Sequence, residues 1–176
     1  MLTPCLASLL AVATSATAVN PPEPIPHTKA ENGNGRASAL PDLLLGRPSV
    51  LVVGFSKASR EATTFWADRL DRELAASGKP PVVRIAHLQS IPGFMRGLLL
   101  GSIKGGVPPE KRDSFWMLFE NQDAWKQLMG FGPSDDAYLA VTDPQGRVVW
   151  RMHAGADEKA YAAAKGQMLE ALAAAR

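Results

Sequence analysis

The sequence predicts an α/β fold in which helices cover both faces of a mixed five-stranded sheet. Residues 49–55 (SVLVVGF) form an apolar, β-branched run, which is typical of a strand buried on both faces. Helical and extended patterns then alternate along the chain, which predicts parallel crossovers. Two apolar runs flank Asp143-Pro144-Gln145-Gly146 and predict an antiparallel hairpin. The predicted order is β-α-β-α-β-α-β-β-α, a three-layer sandwich.

The first half of this unit contains two strands and two helices. Apolar residues at helical spacing predict a helix over 59–77, which Gly78 and Pro80 end. Residues 82–87 (VVRIAH) predict the next strand, and residues 92–104 (PGFMRGLLLGSIK) predict a short, very apolar helix. We expect this helix to be buried, because a crossover helix covers the sheet. An exposed contact surface is the alternative.

The second half adds three strands and two helices. Residues 114–119 (SFWMLF) predict the third strand, and residues 121–129 predict a short helix. The hairpin strands are expected at 138–142 and 147–152. Residues 157–176 predict an Ala-rich terminal helix with one apolar face.

The N-terminal residues predict export. A short apolar run from Leu6 to Val12 precedes Ala16-Thr17-Ala18, a small-residue pattern that signal peptidase recognises, so residues 1–18 are a predicted signal peptide. The run is far shorter than the ~18 to 20 apolar residues that span a bilayer, so no transmembrane anchor is expected. These features predict a periplasmic or secreted protein.

Residues 19–40 predict a Pro/Gly-rich disordered linker. They hold four prolines, two glycines and few apolar side chains. Such a segment buries too little apolar surface to offset the conformational entropy lost on ordering. The predicted folded domain is therefore residues 41–176.

The composition excludes several kinds of chemistry. The chain has 176 residues and one cysteine, Cys5, which lies in the predicted signal peptide, so a mature protein would have no thiol. Disulfide scaffolding and Cys-ligated metal sites are then excluded. The net charge of +2 is too small to indicate nucleic acid or an anionic membrane as the main partner.

Two segments carry a family resemblance. One is Val50-Leu51-Val52-Val53-Gly54-Phe55 continuing through Ser56-Lys57-Ala58-Ser59 into a helix, and the other is residues 138–150, which contain Asp143 and Gly146-Arg147. Together they resemble the peroxiredoxin and cytochrome-maturation branch of the thioredoxin-like superfamily, over residues 47–176. The resemblance implies a thioredoxin-like fold. It also implies a sheet order, which is 114–119, 82–87, 50–55, 138–142, 147–152.

The chain departs from that family at its redox positions. Thioredoxin-like enzymes place a thiolate at the start of the first crossover helix, where the helix dipole lowers its pKa. The alignment that we favour puts Ser59 and Ala62 at the two cysteine positions, whereas a frame one residue earlier, as in the copper-chaperone Sco branch, puts Ala58 and Ala62 there. Neither frame contains sulfur. The family's cis-proline before the fourth core strand is also lost, because Asp136-Ala137 precede that strand. No oxidoreductase activity is therefore expected.

A second resemblance involves a narrower group. Three segments resemble the mitochondrial ATP synthase assembly factor family of Cys-less thioredoxin-like proteins. They are Gly54-Phe55-Ser56-Lys57, Pro92-Gly93-Phe94 with the basic stretch after it, and the hairpin residues ending in Trp150. This resemblance implies a role in assembling a membrane complex.

The start of the predicted 59–77 helix is a candidate binding site. Lys57, Ser59 and Arg60 surround a helix N-terminus, where free N–H groups favour a small anionic ligand such as a carboxylate or phosphate. In the alternative interpretation, Ser59 only caps the helix and both cations are solvated. No His or Asp neighbours Ser59 to act as a base, so no catalytic residue is predicted.

A charge asymmetry marks a candidate surface for a protein partner. Residues 96–112 carry a local charge of +3, because Glu110 stands against four basic residues: Arg96, Lys104, Lys111 and Arg112. Residues 113–143 carry −5, from six acidic residues against Lys126. This asymmetry would orient a partner. An ordinary mixed surface is the alternative.

The remaining reactive side chains predict no cofactor. His27, His87 and His153 lie far apart in the sequence without a metal-ligand spacing, so no metal site is expected. The four tryptophans lie at core-like positions and do not predict a platform for nucleic acid bases.

Three functional hypotheses follow from the sequence. The leading one is an exported, redox-inactive thioredoxin-like module that binds or assembles a protein partner. The second is a non-redox enzyme or anion-binding protein that uses the helix end at Lys57–Arg60. The third is an intracellular assembly factor for a membrane complex.

Overall fold

A computed structural model describes residues 16–76 and 82–176. Most of the predicted signal peptide lies outside the described residues, as do Gly78 and Pro80 at the predicted end of the first helix. Within the described ranges, no helix combines the length and the apolar character needed to cross a bilayer.

Eight strands and four helices make up the described chain. The strands are β1 (Thr17–Pro24), β2 (Thr28–Asn32), β3 (Ala37–Leu40), β4 (Ser49–Gly54), β5 (Val82–His87), β6 (Phe115–Leu118), β7 (Ala137–Thr142) and β8 (Arg147–Ala154). The helices are α1 (Arg60–Ala76), α2 (Arg96–Gly106), α3 (Gln122–Met129) and α4 (Glu158–Ala174). Short 3₁₀ turns precede β4, α2 and β6.

All eight strands form one mixed sheet in the order β1-β8-β7-β4-β5-β6-β2-β3. Strands β4, β5 and β6 are parallel, and β7 and β8 are antiparallel to their neighbours. The sheet order expected for the five core strands is therefore confirmed. The strand count is higher than predicted, because three N-terminal strands extend both sides of the core.

The disordered linker predicted over residues 19–40 is wrong, because these residues form β1, β2 and β3. Strand β1 pairs with β8, and β2 pairs with both β6 and β3. Val19, Ile25, Ala30 and Leu40 are buried in the core. Prolines are tolerated because β1 is an edge strand, with an irregular register between Ala18 and Glu23. The folded unit thus begins well before the predicted boundary at residue 41.

The predicted three layers are present. One face of the sheet packs against α1 and α4, with Trp66, Leu70 and Met168 in that core. The other face packs against α3 and the N-terminal segment, with Trp125 and Leu44 in that core.

Helix α2 does not take part in either core, and the burial expected for residues 92–104 is wrong. None of its residues with a described side chain is buried. The reason is that other elements already cover both faces of the sheet: α1 and α4 pack on one face, and α3 with the N-terminal segment packs on the other. Helix α2 therefore projects from the body.

The hairpin between β7 and β8 forms as predicted. The Gly146 N–H donates to the Asp143 carbonyl at 2.9 Å, and the Asp143 side chain accepts from the backbone N–H of Gln145 and of Arg147. Gly146 has φ +72°, a left-handed conformation that favours glycine. A Cβ at Gly146 would lie 2.6 Å from the Pro41 Cβ, so the residue after β3 packs directly on this turn.

This contact makes a stability prediction. We expect Gly146→Ala to lower the free energy of unfolding by roughly 2–4 kcal/mol, because the new methyl adds left-handed strain and a clash with Pro41. Chemical denaturation followed by circular dichroism measures the change.

Gly166→Ala is the matched control. Gly166 lies inside α4 with no neighbour within 4 Å of an added Cβ. Alanine there should raise stability by about 0.5–1 kcal/mol through helix propensity. A Gly146→Ala protein as stable as wild type would mean that Pro41 does not pack on the hairpin.

Candidate functional site

The candidate site lies at one edge of the sheet, which we call the carboxyl edge. The parallel strands β4, β5 and β6 all end there, and β7 begins there because it runs antiparallel to β4. The edge therefore brings together the loops after β4, β5 and β6, the segment before β7 and the segment after β8. These are residues 55–59, 88–95, 119–121, 130–136 and 155–157. In open α/β sheets this is the edge at which ligands usually bind.

Hydrogen bonds fix the loop between β4 and α1. The Ser59 hydroxyl donates to the Ser56 carbonyl at 2.8 Å, and the Ser59 N–H donates to the Ser56 Oγ at 3.2 Å. The Ser56 hydroxyl in turn donates to the Ser134 carbonyl at 2.5 Å, which ties the loop to the segment before β7. The Ser59 hydroxyl proton is thus used inside the loop.

Ser59 points into the protein because Gly54 leaves room for it. Ser59 is 1% exposed, and a Cβ at Gly54 would lie 2.8 Å from the Ser59 Oγ. The structure therefore does not bring Ser59 together with the two predicted cations on one surface. The Ser59 side chain holds its own loop by donating to a carbonyl, which also differs from the capping interaction expected of it.

Lys57 and Arg60 are exposed, as expected, and line a shallow depression of about 610 Å³. Ala58, Phe65 and Ala156 supply its apolar part. Glu61 lies in the same depression and places a negative charge beside the cations.

In the frame that places Ala58 and Ala62 at the two cysteine positions, both positions have a methyl side chain. Ala58 is exposed, whereas Ala62 is buried in the core beneath it. A reactive thiol must be accessible. Accessibility therefore favours the frame with Ala58 and Ala62 over the frame with the buried Ser59.

Three of the four basic residues of the predicted partner surface have contacts within the protein. The Lys111 Nζ lies 2.7 Å from the Asp68 Oδ1, and the Arg112 Nε donates to the Val107 carbonyl at 3.0 Å. The Arg96 guanidinium lies over the Phe119 ring at 4.3 Å. Lys104 lies in α2, and its side chain is outside the described part of the structure.

Asp68 explains why Lys111 is held against the body. Burial acts to raise the pKa of Asp68, but hydrogen bonds from Lys111 and Arg84 outweigh it and lower the pKa below its usual value. Arg84 also pairs with Asp71, so α1, β5 and the turn before β6 share one ion-pair network.

An aromatic cluster behind the carboxyl edge was not predicted. The His87 ring stacks on Phe55 with centroids 5.1 Å apart and also lies 5.4 Å from the Trp125 ring. Phe131 and Tyr138 complete the cluster through their contacts with Phe55. In the sequence, the only signal for this cluster is that Phe55 and His87 stand directly at the ends of two predicted strands.

His87 is a buried imidazole without hydrogen bonds. It is 4% exposed, and neither ring nitrogen has a partner among the described residues. Burial, with a smaller contribution from Lys126, lowers the pKa of His87 to about 3. His87 is therefore neutral at any physiological pH.

The segment before β7 is fixed by polar contacts to the sheet. The His153 Nδ1 lies 2.6 Å from the Asp136 Oδ2, and the Tyr138 hydroxyl donates to the Pro133 carbonyl at 2.7 Å. The cis peptide bonds among the described residues precede Pro21 and Pro41, so Ala137 follows Asp136 without the family's cis-proline.

Within residues 16–76 and 82–176, no three His, Cys, Asp or Glu side chains lie close enough to hold a metal ion. The expectation of no metal and no cofactor stays a prediction.

Comparison with solved structures identifies the fold. BsSco, a member of the Sco family of cytochrome c oxidase assembly proteins, superposes with a TM-score of 0.59 at 14% identity, over 88% of this chain and 97% of that one. Yeast Sco1 with copper bound gives 0.53 at 17%, over 85% and 94%. A DsbF homologue from Corynebacterium diphtheriae gives 0.52 at 12%, over 97% and 99%.

These neighbours show that the chain has a thioredoxin-like fold, as the sequence resemblance implied. No protein-family model matches the sequence, and no curated protein matches it. The resemblance to the ATP synthase assembly factor family stays a prediction.

The buried His87 predicts a pH dependence of stability. Its folded pKa of about 3 is below the unfolded value of 6.5, so the unfolded chain binds more protons between these pH values. The contribution of His87 to the free energy of unfolding is fully present above pH 6.5, and it falls by about 1.4 kcal/mol per pH unit as the pH drops from 6.5 towards the folded pKa. Urea denaturation at pH 7.5 and pH 5 should therefore show a loss of about 2 kcal/mol from this group.

His87→Leu removes the imidazole and should lose this part of the pH dependence. His27 is exposed, so His27→Gln is the control that should keep the wild-type slope. Equal slopes in wild type and His87→Leu would contradict the burial of a neutral imidazole.

Proposed function

We propose that this protein is a redox-inactive thioredoxin-like module that binds or assembles a protein partner and acts in the periplasm or outside the cell. The observation that carries the proposal is the pair Ala58 and Ala62. An exposed methyl and a buried methyl stand where the fold presents a reactive thiol and its partner. Neither forms a thiolate, so the edge retains a recognition surface without the reactive group.

The fixed loops support a binding role. The hydrogen bonds from Ser59 to Ser56 and from Ser56 to Ser134 hold two loops of the carboxyl edge in one arrangement. A surface that is rigid before binding loses less conformational entropy when a partner docks. BsSco is a member of a family of cytochrome c oxidase assembly proteins, so assembly work has a precedent on this fold.

Anion binding at the helix end is the second candidate. It relies on Lys57 and Arg60 alone, because the Ser59 hydroxyl faces the interior. Glu61 in the same depression opposes an anion. We therefore place this function, and any non-redox catalysis based on it, behind partner binding.

The proposal predicts that the protein has no thiol-disulfide activity. Wild type and Cys5→Ser should reduce insulin disulfides no faster than buffer in the presence of dithiothreitol. Activity in Cys5→Ser would rule out a redox-inactive module, since that variant contains no sulfur other than methionine.

Restoring cysteines tests whether the edge keeps the geometry of a redox site. In the Cys5→Ser background, Ala58→Cys with Ala62→Cys should form a reversible intramolecular disulfide, because one position is exposed and the other lies directly beneath it. Ser59→Cys with Ala62→Cys is the matched control. The thiol introduced at residue 59 should react with a maleimide at least about tenfold more slowly than the thiol introduced at residue 58, because residue 59 is packed against Gly54.

Export predicts a processed N-terminus. Cleavage after Ala18 would leave Val19, which is buried within β1, as the first residue. The intact mass of the protein purified from its native cells should then lack residues 1–18. A chain that retains them would contradict the signal peptide and favour the intracellular assembly factor.

A further inference from the structure

Exposed apolar side chains concentrate at the carboxyl edge. Five large hydrophobic residues are exposed among those described, and four of them lie in its loops or in the helix next to it: Phe94, Met95, Leu98 and Phe131. The fifth, Leu45, lies near the opposite edge, since the neighbouring Gly46 N–H donates to the Pro144 carbonyl of the hairpin. Phe94 is 87% exposed and Leu98 is 78% exposed.

Phe94 in the turn before α2 and Leu98 in α2 are the two most exposed of these residues. Phe94 and Leu98 are four positions apart and so lie one above the other. Leu99, Leu100 and Ile103 are half-buried and face the body. The outward face also contains Gly101 and Gly105, and a Cβ at either would meet nothing within 4 Å. The two large side chains therefore project beyond the rest of the helix.

The segment that carries this face contains basic and no acidic residues. Between His87 and Glu110 the sequence contains no Asp or Glu, whereas it contains Arg96 and Lys104. The Arg96 guanidinium is held over the Phe119 ring. An apolar face on a basic segment is complementary to an anionic lipid surface, where the apolar side chains insert among the acyl chains and the headgroups attract the positive charge.

We propose that α2 and the turn before it dock this protein onto an anionic membrane surface. A protein interface of ordinary size needs about 800 Å² from each partner. Helix α2 has eleven residues with four glycines, and together with the turn before it offers Phe94 and Leu98 as its two most exposed large side chains. A bilayer makes no demand for shape complementarity, so two inserted side chains and the adjacent cations suffice for reversible binding.

The net charge of +2 does not oppose this contact. It averages over the whole molecule, whereas attraction to a lipid surface decays within a Debye length of about 8–10 Å. Only the charges on and beside α2 lie that close to the headgroups. The lipid contact holds whether or not the thiol-free site binds a protein.

Vesicle sedimentation tests the proposal with the full chain. Wild type should bind vesicles of equimolar phosphatidylcholine and phosphatidylglycerol, and much more weakly vesicles of phosphatidylcholine alone. Phe94→Ser with Leu98→Ser should lower the binding at least about tenfold, because two apolar side chains no longer insert. Leu45→Ser, which removes an exposed leucine near the opposite edge, should bind as wild type does.

A second measurement locates the contact. Amide hydrogen exchange in residues 93–106 should slow when anionic vesicles are added, and near-UV circular dichroism should show that the double variant keeps its tertiary fold. Absence of wild-type binding, which is also expected if a protein occupies this face, would overturn the proposal. Binding that survives in the double variant would overturn it too. Equal binding to both kinds of vesicle would overturn the role given to the cations.

Discussion

The close approach of Ser59 to Gly54 is the contact on which the carboxyl edge depends. Because Gly54 has no side chain, the Ser59 hydroxyl fits against the end of β4 and donates to the Ser56 carbonyl. This fold of the loop turns Ala58 outward and lets the Ser56 hydroxyl reach the Ser134 carbonyl. The start of α1 and the segment before β7 are thereby joined. A methyl group at Gly54 would displace Ser59, which holds the loop after β4. The arrangement of this loop therefore depends on the absence of a side chain at residue 54.

Much of the fold follows from local patterns in the sequence, whereas the sheet extensions do not. The run at 49–54 and the turn at Asp143–Gly146 predict their strands because the signal lies within a few residues. Strands β1 and β2 pair with β8 and β6, whose residues lie more than 80 positions away, and the prolines of β1 are typical of a linker. These two strands are held by backbone pairing with distant residues and contain no apolar run, so their composition does not predict them. The exposure of Lys57 and Arg60 was predictable, but the inward turn of Ser59 depends on the tertiary contact with Gly54.

Contacts within the folded protein set the local chemistry of its charged and aromatic side chains. Two cations of the predicted basic surface have partners there, since Lys111 binds Asp68 and Arg112 binds the Val107 carbonyl. Behind the edge, the stack of Phe55 and His87 places a neutral imidazole in an apolar environment. This stack arises where loops follow the parallel strands β4 and β5. Aromatic and apolar side chains therefore lie behind the carboxyl edge.

The N-terminal segment contributes both outermost strands of the sheet, and this arrangement constrains the order of folding. Strand β1 is the first of the described strands to be synthesised, yet Glu23 pairs with Val148 and Pro24 with Arg147. Three residues separate β1 from β2, although five strands lie between them in the sheet order. The sheet must therefore curl so that its two sides approach each other, as the packing of Pro41 on Gly146 also requires. Strand β1 can take its place only after β8 has formed. Closing the long loop between β1 and β8 costs conformational entropy, which only the finished sheet offsets. The first of the described strands to be made is thus among the last to be fixed in place.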